Sequence, residues 1–336
     1  MSNKLAALLF ILGLALLVLG GKLFVWGAED ISRRFKVSRF LMGATILSIC
    51  TTLPEVVVSA RAAVQGNSGL AYGNALGSVI CNASLIAGAI IVLDPAKVKQ
   101  ETFSRGTAFF SIAGFFYAAM AWTAGRFERW VGIVLLIIFA VFEIVLVLYM
   151  NKNHENLTTA PSHKDAEKVP EKPKKKTRIL KPHEAMGILI VGAAAIAIGA
   201  RLLVNNGTIV AKALGVPDSV IGLTMVALGT SLPELITAIQ SRIKGIDELW
   251  IGNIVGANVL NLVLVCGLAI TISPFDVPAG RTIGGINASL VVDIPVMLLA
   301  MAVLCLPSLF KGKVMRWQGI LLLCLYVAFN VYQFVF

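Results

Sequence analysis

Gly43-Ala-Thr-Ile-Leu-Ser-Ile-Cys-Thr-Thr-Leu-Pro-Glu55 returns as Gly222-Leu-Thr-Met-Val-Ala-Leu-Gly-Thr-Ser-Leu-Pro-Glu234, 179 residues further along the chain. At the same offset Gly73-Asn74 matches Gly252-Asn253, Gly77 matches Gly256, Asn82 matches Asn261, and Lys22 falls on Arg201. A constant offset without a gap, carried by residues this unlike one another, marks two copies of one unit. Each copy places an acid directly behind a proline inside an apolar run, and that pairing directs the reading of both fold and site.

The apolar surroundings extend over the whole chain. Its 336 residues are 57% hydrophobic and 14% charged, with a mean hydropathy of +0.85. A soluble domain is about 45–50% apolar and about 25% charged. The excess gathers in ten stretches, at 5–26, 42–65, 69–93, 106–123, 130–150, 184–205, 219–242, 248–272, 284–306 and 315–335. Each is near the roughly 20 residues that cross the ~30 Å hydrocarbon core. They are apolar all round, without the one-sided 3.6-residue periodicity of a soluble helix. The expected fold is an all-α integral membrane protein of ten transmembrane helices, arranged as two inverted five-helix repeats. The first stretch is expected to stay as a helix: it is long for a signal sequence, no clear cleavage site follows it, and the repeat needs it.

The repeats occupy 1–150 and 184–336. Between them, 151–183 is hydrophilic, with Lys174, Lys175, Lys176, four prolines and almost no large apolar residue. Such a segment buries too little surface to fold alone and reads as a basic linker. Five helices is an odd number, so the second copy enters the membrane from the opposite face. With the N-terminus outside, the inner loops hold Arg33, Arg34, Lys36, Arg39, Lys97, Lys99, Arg105, the linker lysines, Arg242, Lys244, Lys311, Lys313 and Arg316. The outer side keeps Lys4, Arg61, Arg126, Arg129, Lys212 and Arg281. The positive-inside rule then puts both termini outside and the linker in the cytoplasm, in a multi-pass cell (inner) membrane protein. The net charge of +11 is thereby topological, and no nucleic acid partner is expected. Inverted repeats around a midplane site are a transporter arrangement.

Glu55 and Glu234 lie well inside their stretches, where an acidic side chain costs about 2.5–3.5 kcal/mol on insertion scales. Thr51 precedes Glu55 by one turn and Thr52 lies beside it; Thr230 and Ser231 repeat this around Glu234. Residues at i and i+4 share a helix face, so each hydroxyl is expected to join the carboxylate of its own helix. Pro54 and Pro233 withhold the backbone donor from the carbonyls of Cys50 and Gly229, and a broken turn at membrane depth has to face protein or an aqueous cavity. A lone proline would mean a kink, and a lone acid a hydrogen-bonded neutral carboxyl. Both together, twice, make a set of hard oxygens suited to calcium or sodium and not to transition metals. The third and eighth stretches add Ser78 and the amides of Asn74, Asn82, Asn253 and Asn261. Gly73, Gly77, Gly252 and Gly256 are expected to let helices pack closely.

Other polar groups carry less. The five cysteines all sit in apolar stretches without CxxC spacing, and read as small buried hydrophobes. Glu143 and Asp293 have no acidic counterpart in the other repeat and are expected to pair with a basic residue or lie at an interface. Lys22 and Arg201 are expected to snorkel to opposite faces. The three histidines fall in the linker or at its end. No helix therefore pairs a nucleophile with a histidine base, and the chain is not expected to be an enzyme.

The segments ending in Thr-Thr-Leu-Pro-Glu55 and Thr-Ser-Leu-Pro-Glu234, each followed by Gly-Asn-x-x-Gly, resemble the paired alpha-repeats of the cation/calcium exchanger superfamily. The nearest resemblance is to its prokaryotic sodium/calcium exchanger family, and it covers essentially the whole chain. It implies that Ca²⁺ is held by Glu55 and Glu234 with the backbone carbonyls of Thr51 and Thr230. Na⁺ would use the same glutamates with the Ser48 and Ala227 carbonyls, Thr51, Thr52, Ser78, Thr230 and Ser231, and Asn82 would line the middle. The chain departs from the family pattern at Asn261, where an Asp often faces Asn82, and at Ala257, where a Ser matches Ser78. The implied function is secondary antiport of Ca²⁺ against Na⁺ by alternating access, with the first and sixth helices sliding over the rest, as a monomer in the lipid bilayer and without a cofactor. H⁺/Ca²⁺ exchange, or exchange of another divalent cation, on the same scaffold is the alternative. A passive channel also uses acids and carbonyls, but its flux would not depend on a counter-ion.

Overall fold

The computed structural model describes residues 3–35, 37–98, 100–159, 181–213, 227–279 and 282–335. Among these residues the chain forms ten helices. In the first repeat they are α1 (Asn3–Arg34), α2 (Arg39–Val64), α3 (Ser68–Leu93), α4 (Gln100–Ala124) and α5 (Arg129–Thr159). In the second they are α6 (Pro182–Ala213), α7 in two pieces (Ala227–Thr230 and Leu232–Ile243), α8 (Asp247–Ile272), α9 (Ser289–Lys311) and α10 (Arg316–Val335). This is a multi-pass membrane architecture, as the hydropathy requires.

Some expected boundaries move. α5 continues to Thr159, beyond the expected start of the linker. α9 begins at Ser289 rather than near 284, because β3 (Thr282–Ile283) and β4 (Ile286–Asn287) form a hairpin turned by Gly284 and Gly285 at positive φ. Lys36, Lys99, Arg281, the lysines at 174–176 and the first part of the seventh stretch lie outside the described residues.

Two short pairings tie the repeats together at opposite ends of the bundle. β1 (Arg126–Phe127) pairs antiparallel with β2 (Phe275–Asp276), joining the α4–α5 and α8–α9 connections. Lys97 bridges Lys313, joining α3–α4 to α9–α10 on the end where the linker lies. That end is called the linker side below, and the other the far side.

α3 and α8 form the centre: 72% and 83% of their spans are buried, against 28% for α5 and α6. The outer helices turn apolar residues outward, such as Leu8 and Ile11 of α1 and Ile137 and Ile144 of α5, as lipid permits. α1 and α6 lie antiparallel along a seam of small residues at seven-residue spacing, Gly13, Gly20 and Gly27 against Gly192 and Gly199. A Cβ at Gly192 would stand 2.5 Å from the Phe24 nitrogen, and one at Gly199 2.8 Å from the Gly13 oxygen, so the backbones touch.

Candidate functional site

The site lies where α2, α3, α7 and α8 cross. α2 passes from a π turn at Gly43–Leu47 into Ser48–Val64 and runs unbroken through Pro54, so Glu55 projects from a continuous helix. α7 behaves differently. It is interrupted at Ser231 and restarts at Leu232, which puts Pro233 where no N–H is needed and Glu234 in the first turn of the new helix. A carboxylate there meets free N–H groups and the positive end of the helix dipole. The same Leu-Pro-Glu triplet thus makes two different local structures.

Glu55, Glu234, Thr52, Ser48, Asn82 and Asn261 are fully buried, and Thr51, Ser78 and Ser231 nearly so. The carboxyls of Glu55 and Glu234 lie close enough to act on each other electrostatically, so the fold brings the two repeat positions to one site. Ser78 donates a long 3.5 Å hydrogen bond to Glu55 Oε1. Asn74 Nδ2 donates to the Glu55 carbonyl at 3.2 Å and to Ser59 Oγ at 2.9 Å, clamping α3 to α2 behind the acid.

The hydroxyls exchange partners. Thr51 and Thr52 address the carboxylate of Glu234, and Thr230 addresses that of Glu55. Each hydroxyl was expected to serve the acid of its own helix; the crossing of α2 and α7 turns it to the other. None reaches ordinary hydrogen-bond geometry, so Glu55 Oε2, both oxygens of Glu234, Thr52 Oγ1 and Ser231 Oγ have no partner among the described residues. Asn82 and Asn261 have none for either amide atom. Both belong to matching π turns, Cys81–Ile86 in α3 and Asn261–Val265 in α8, and such turns recur at functional positions. Buried polar atoms are ordinarily bonded. A concentration of unpaired oxygens between two carboxylates is chemically a cage for a hard cation.

Ser48 gives its hydroxyl to the Thr45 carbonyl at 2.9 Å, and its own carbonyl accepts from Thr51 at 3.4 Å. Ala227 opens the described part of α7. Asn253, which the spacing placed nearby only as a neutral oxygen, accepts from Thr51 Oγ1 at 3.3 Å and so joins the repeats directly. Its pairing with Asn74 at the repeat offset was the signal for it. Gly252 and Gly256 pack as expected: a Cβ would meet the Phe40 oxygen at 2.2 Å and the Ala44 oxygen at 2.6 Å. Gly73 and Gly77 meet nothing within 4 Å among the described residues; the repeat counterparts of Phe40–Ala44, against which they would pack, are residues 219–223, outside those described. Asp293 accepts from Gln333 at 3.0 Å, and Glu143 Oε1 is buried without a partner among the described residues.

A void of about 10 Å³, bounded by Cys50, Thr51, Pro54 and Pro233 and by Phe24, Ala193, Ile196 and Ala197, sets both proline turns against the α1–α6 pair. Beside it, a cavity of about 540 Å³ between α2, α6 and α7 reaches Thr230.

The family model for the sodium/calcium exchanger protein matches residues 5–148 and 184–335, leaving only the linker and the extreme ends. The chain belongs to the sodium/calcium exchanger family. Among its relatives, the sodium/calcium exchanger MaX1 of Methanosarcina acetivorans is 31% identical over 97% of this chain and 98% of its own. The inner membrane protein YrbG of Escherichia coli is 31% identical over 81% and 82%. Solved structures of the sodium-calcium exchanger NCX_Mj superimpose with a TM-score of 0.79 at 29% identity, covering 97% of this chain and 98% of that one. In this exchanger, then, ten helices and two mirrored Leu-Pro-Glu turns enclose one polar centre.

Proposed function

We propose that this exchanger moves Ca²⁺ against Na⁺ by alternating access, with Glu55 and Glu234 as the shared ligands. The observation that carries this reading is the facing pair of fully buried glutamates, three of whose four oxygens have no partner among the described residues. Two like charges 4 Å apart repel by about 4 kcal/mol at an effective dielectric of 20, so both acids can be ionised together only around a cation. One Ca²⁺ cancels the pair, and so do Na⁺ ions held by the same acids with Thr51, Thr52, Ser78, Thr230 and Ser231. Competition for one set of oxygens couples the two fluxes.

The placement of α1 and α6 supports alternating access. Their glycine seam joins them to each other, and together they cover both proline turns. Sliding this pair over α2 and α7 would expose the site first on one side, then on the other, and only a charge-balanced site would permit the passage. The basic loops favour a linker in the cytoplasm and both termini outside, and the likeness to an inner membrane protein supports that membrane as its location. A single chain supplies every ligand, so it works as a monomer.

The test is Ca²⁺ uptake into vesicles holding the purified protein. An imposed Na⁺ gradient with pH equal on both sides is expected to drive uptake, and a proton gradient imposed without Na⁺ is not. Uptake driven by protons alone would replace this reading with H⁺/Ca²⁺ exchange, the alternative to which Asn261 in place of an acid gives some weight. Flux with neither gradient would point to a channel.

A further inference from the structure

α3 and α7 run side by side from the site to the linker side, and two contacts fix their register. At the site, the restarted helix of α7 (Leu232–Ile243) packs on the Cys81–Ile86 turn of α3. At the linker-side end, Arg242 closes α7 with an ion pair to Asp94, just past α3, and another to Asp247 at the start of α8, whose carboxylate also accepts from Trp250 at 3.3 Å. Between these two contacts lie Ser84, Thr237 and Ser241. All three are fully buried, and none of their hydroxyls has a hydrogen-bond partner among the described residues.

Thr237 and Ser241 follow Glu234 at i+3 and i+7, the spacing of one helix face. The opposite face of α7 carries Ile236 and Gln240, which pack on Gly21 of α1. The hydroxyls therefore continue the face that bears the glutamate. Ser84 stands one turn beyond Cys81 on α3. Leaving one buried hydroxyl unpaired costs about 1–3 kcal/mol, and here three lie in one short stretch. Their counterparts in the other repeat are Val263, Val58 and Ala62, so the mirrored α2–α8 seam toward the far side is apolar. Packing alone would be served by the same apolar residues on both sides.

We propose that the linker-side half of the cation path runs down the α3–α7 seam. Ser84, Thr237 and Ser241 supply oxygens to the partly dehydrated ion in transit, and the Arg242 bridge closes the mouth. When Arg242 lets go, Asp94 and Asp247 are left as two carboxylates that attract a cation to the opening. This inference rests on the exchanger reading above and adds a route and a gate to it.

The test uses the full chain with its five cysteines replaced by alanine, reconstituted in vesicles. Ser84→Cys, Thr237→Cys and Ser241→Cys are introduced one at a time and exposed to a membrane-impermeant cationic thiosulfonate on either face. Labelling is expected from the linker side only, at least about tenfold faster when Arg242→Ala is added, and Ala62→Cys should stay unlabelled from that side. The triple variant Ser84→Ala/Thr237→Ala/Ser241→Ala is expected to turn over about tenfold more slowly while binding Ca²⁺ at equilibrium as before. A purely structural role would move binding and turnover together. No labelling from the linker side, in chains that still exchange Ca²⁺ for Na⁺, overturns this path and leaves the exchanger reading intact. If the unmodified protein shows no Na⁺-driven uptake, the exchanger reading itself fails.

Discussion

The two halves of the site share a sequence and differ in how they hold their acid. Glu55 sits mid-helix, with Ser78 on one oxygen and Asn74 clamping its backbone carbonyl. Glu234 sits in the first turn of a restarted helix, with neither oxygen bonded. The clamp has no copy in the second repeat because Ser59, which shares Asn74, is replaced there by Ala238. Asn253 is instead drawn to Thr51 across the repeat boundary, leaving its Nδ2 unpaired. The first half is a fixed wall. The second half carries most of the unsatisfied groups, which is where a cation has most to gain and where a change of shape meets least resistance.

The largest expected effect tests whether the acids are nonetheless equal partners. Truncating one member of a buried charged contact costs about 2–5 kcal/mol. Glu55→Gln and Glu234→Gln are each expected to weaken Ca²⁺ binding by at least about 30-fold and to stop Na⁺-driven uptake, as read by calorimetry and isotope flux. If either variant exchanges normally, the two acids do not share one ion.

Next come the glycines. Overpacking costs about 1–3 kcal/mol, and a Cβ at Gly252 would collide with the Phe40 carbonyl. Gly252→Ala is expected to lower the melting temperature in detergent sharply. Gly187→Ala, on the exposed face of α6 with nothing within 4 Å among the described residues, should leave it level or slightly higher, since alanine gains about 1 kcal/mol over glycine within a helix. Equal losses at both positions would mean that the close approach at Gly252 carries no special share of the stability.

A smaller difference separates the asparagines. Asn74→Ala removes two hydrogen bonds and is expected to cost about 1–3 kcal/mol. Asn253→Ala removes one and already starts with an unpaired donor, so about 1 kcal/mol or less should be lost. Chemical denaturation of the two variants in parallel reads the gap, and reversal of their order would contradict the fixed-wall picture. The smallest effect is expected at Arg126, which is exposed between Asp276 and Glu128 on the far side. Exposed ion pairs contribute little, and Arg126→Ala should alter neither the melt nor the flux.

Much of this was legible in the chain because membrane burial leaves few choices. An acid inside an apolar run is costly enough to be a signal by itself, and one offset aligned Glu55 with Glu234 and Asn82 with Asn261. What escaped depends on how helices face one another. The i, i+4 rule correctly places Thr51 and Glu55 on one helix face, but it says nothing of the helix opposite, and so it missed the crossover of the hydroxyls to the other repeat's acid. Identical Leu-Pro-Glu triplets gave no hint that α2 would run through its proline while α7 would break before its own. The positions that decide the clamp, Ser59 and Ala238, lie outside the matched motif. At the start of α9 the reading took apolar content for helix, although Gly284-Gly285 encodes a hairpin.

The α1–α6 seam has a further meaning. Gly13 and Gly20 correspond by the repeat offset to Gly192 and Gly199, and Gly13 packs near Gly199 as Gly20 packs near Gly192. Each surface therefore meets its own equivalent, the isologous pattern of a twofold homodimer. A single five-helix half, inserted into the bilayer in both orientations, would already carry the face on which two separate copies could close. Joining the halves in one chain fixes their ratio, while the adhesive surface itself is carried by each half.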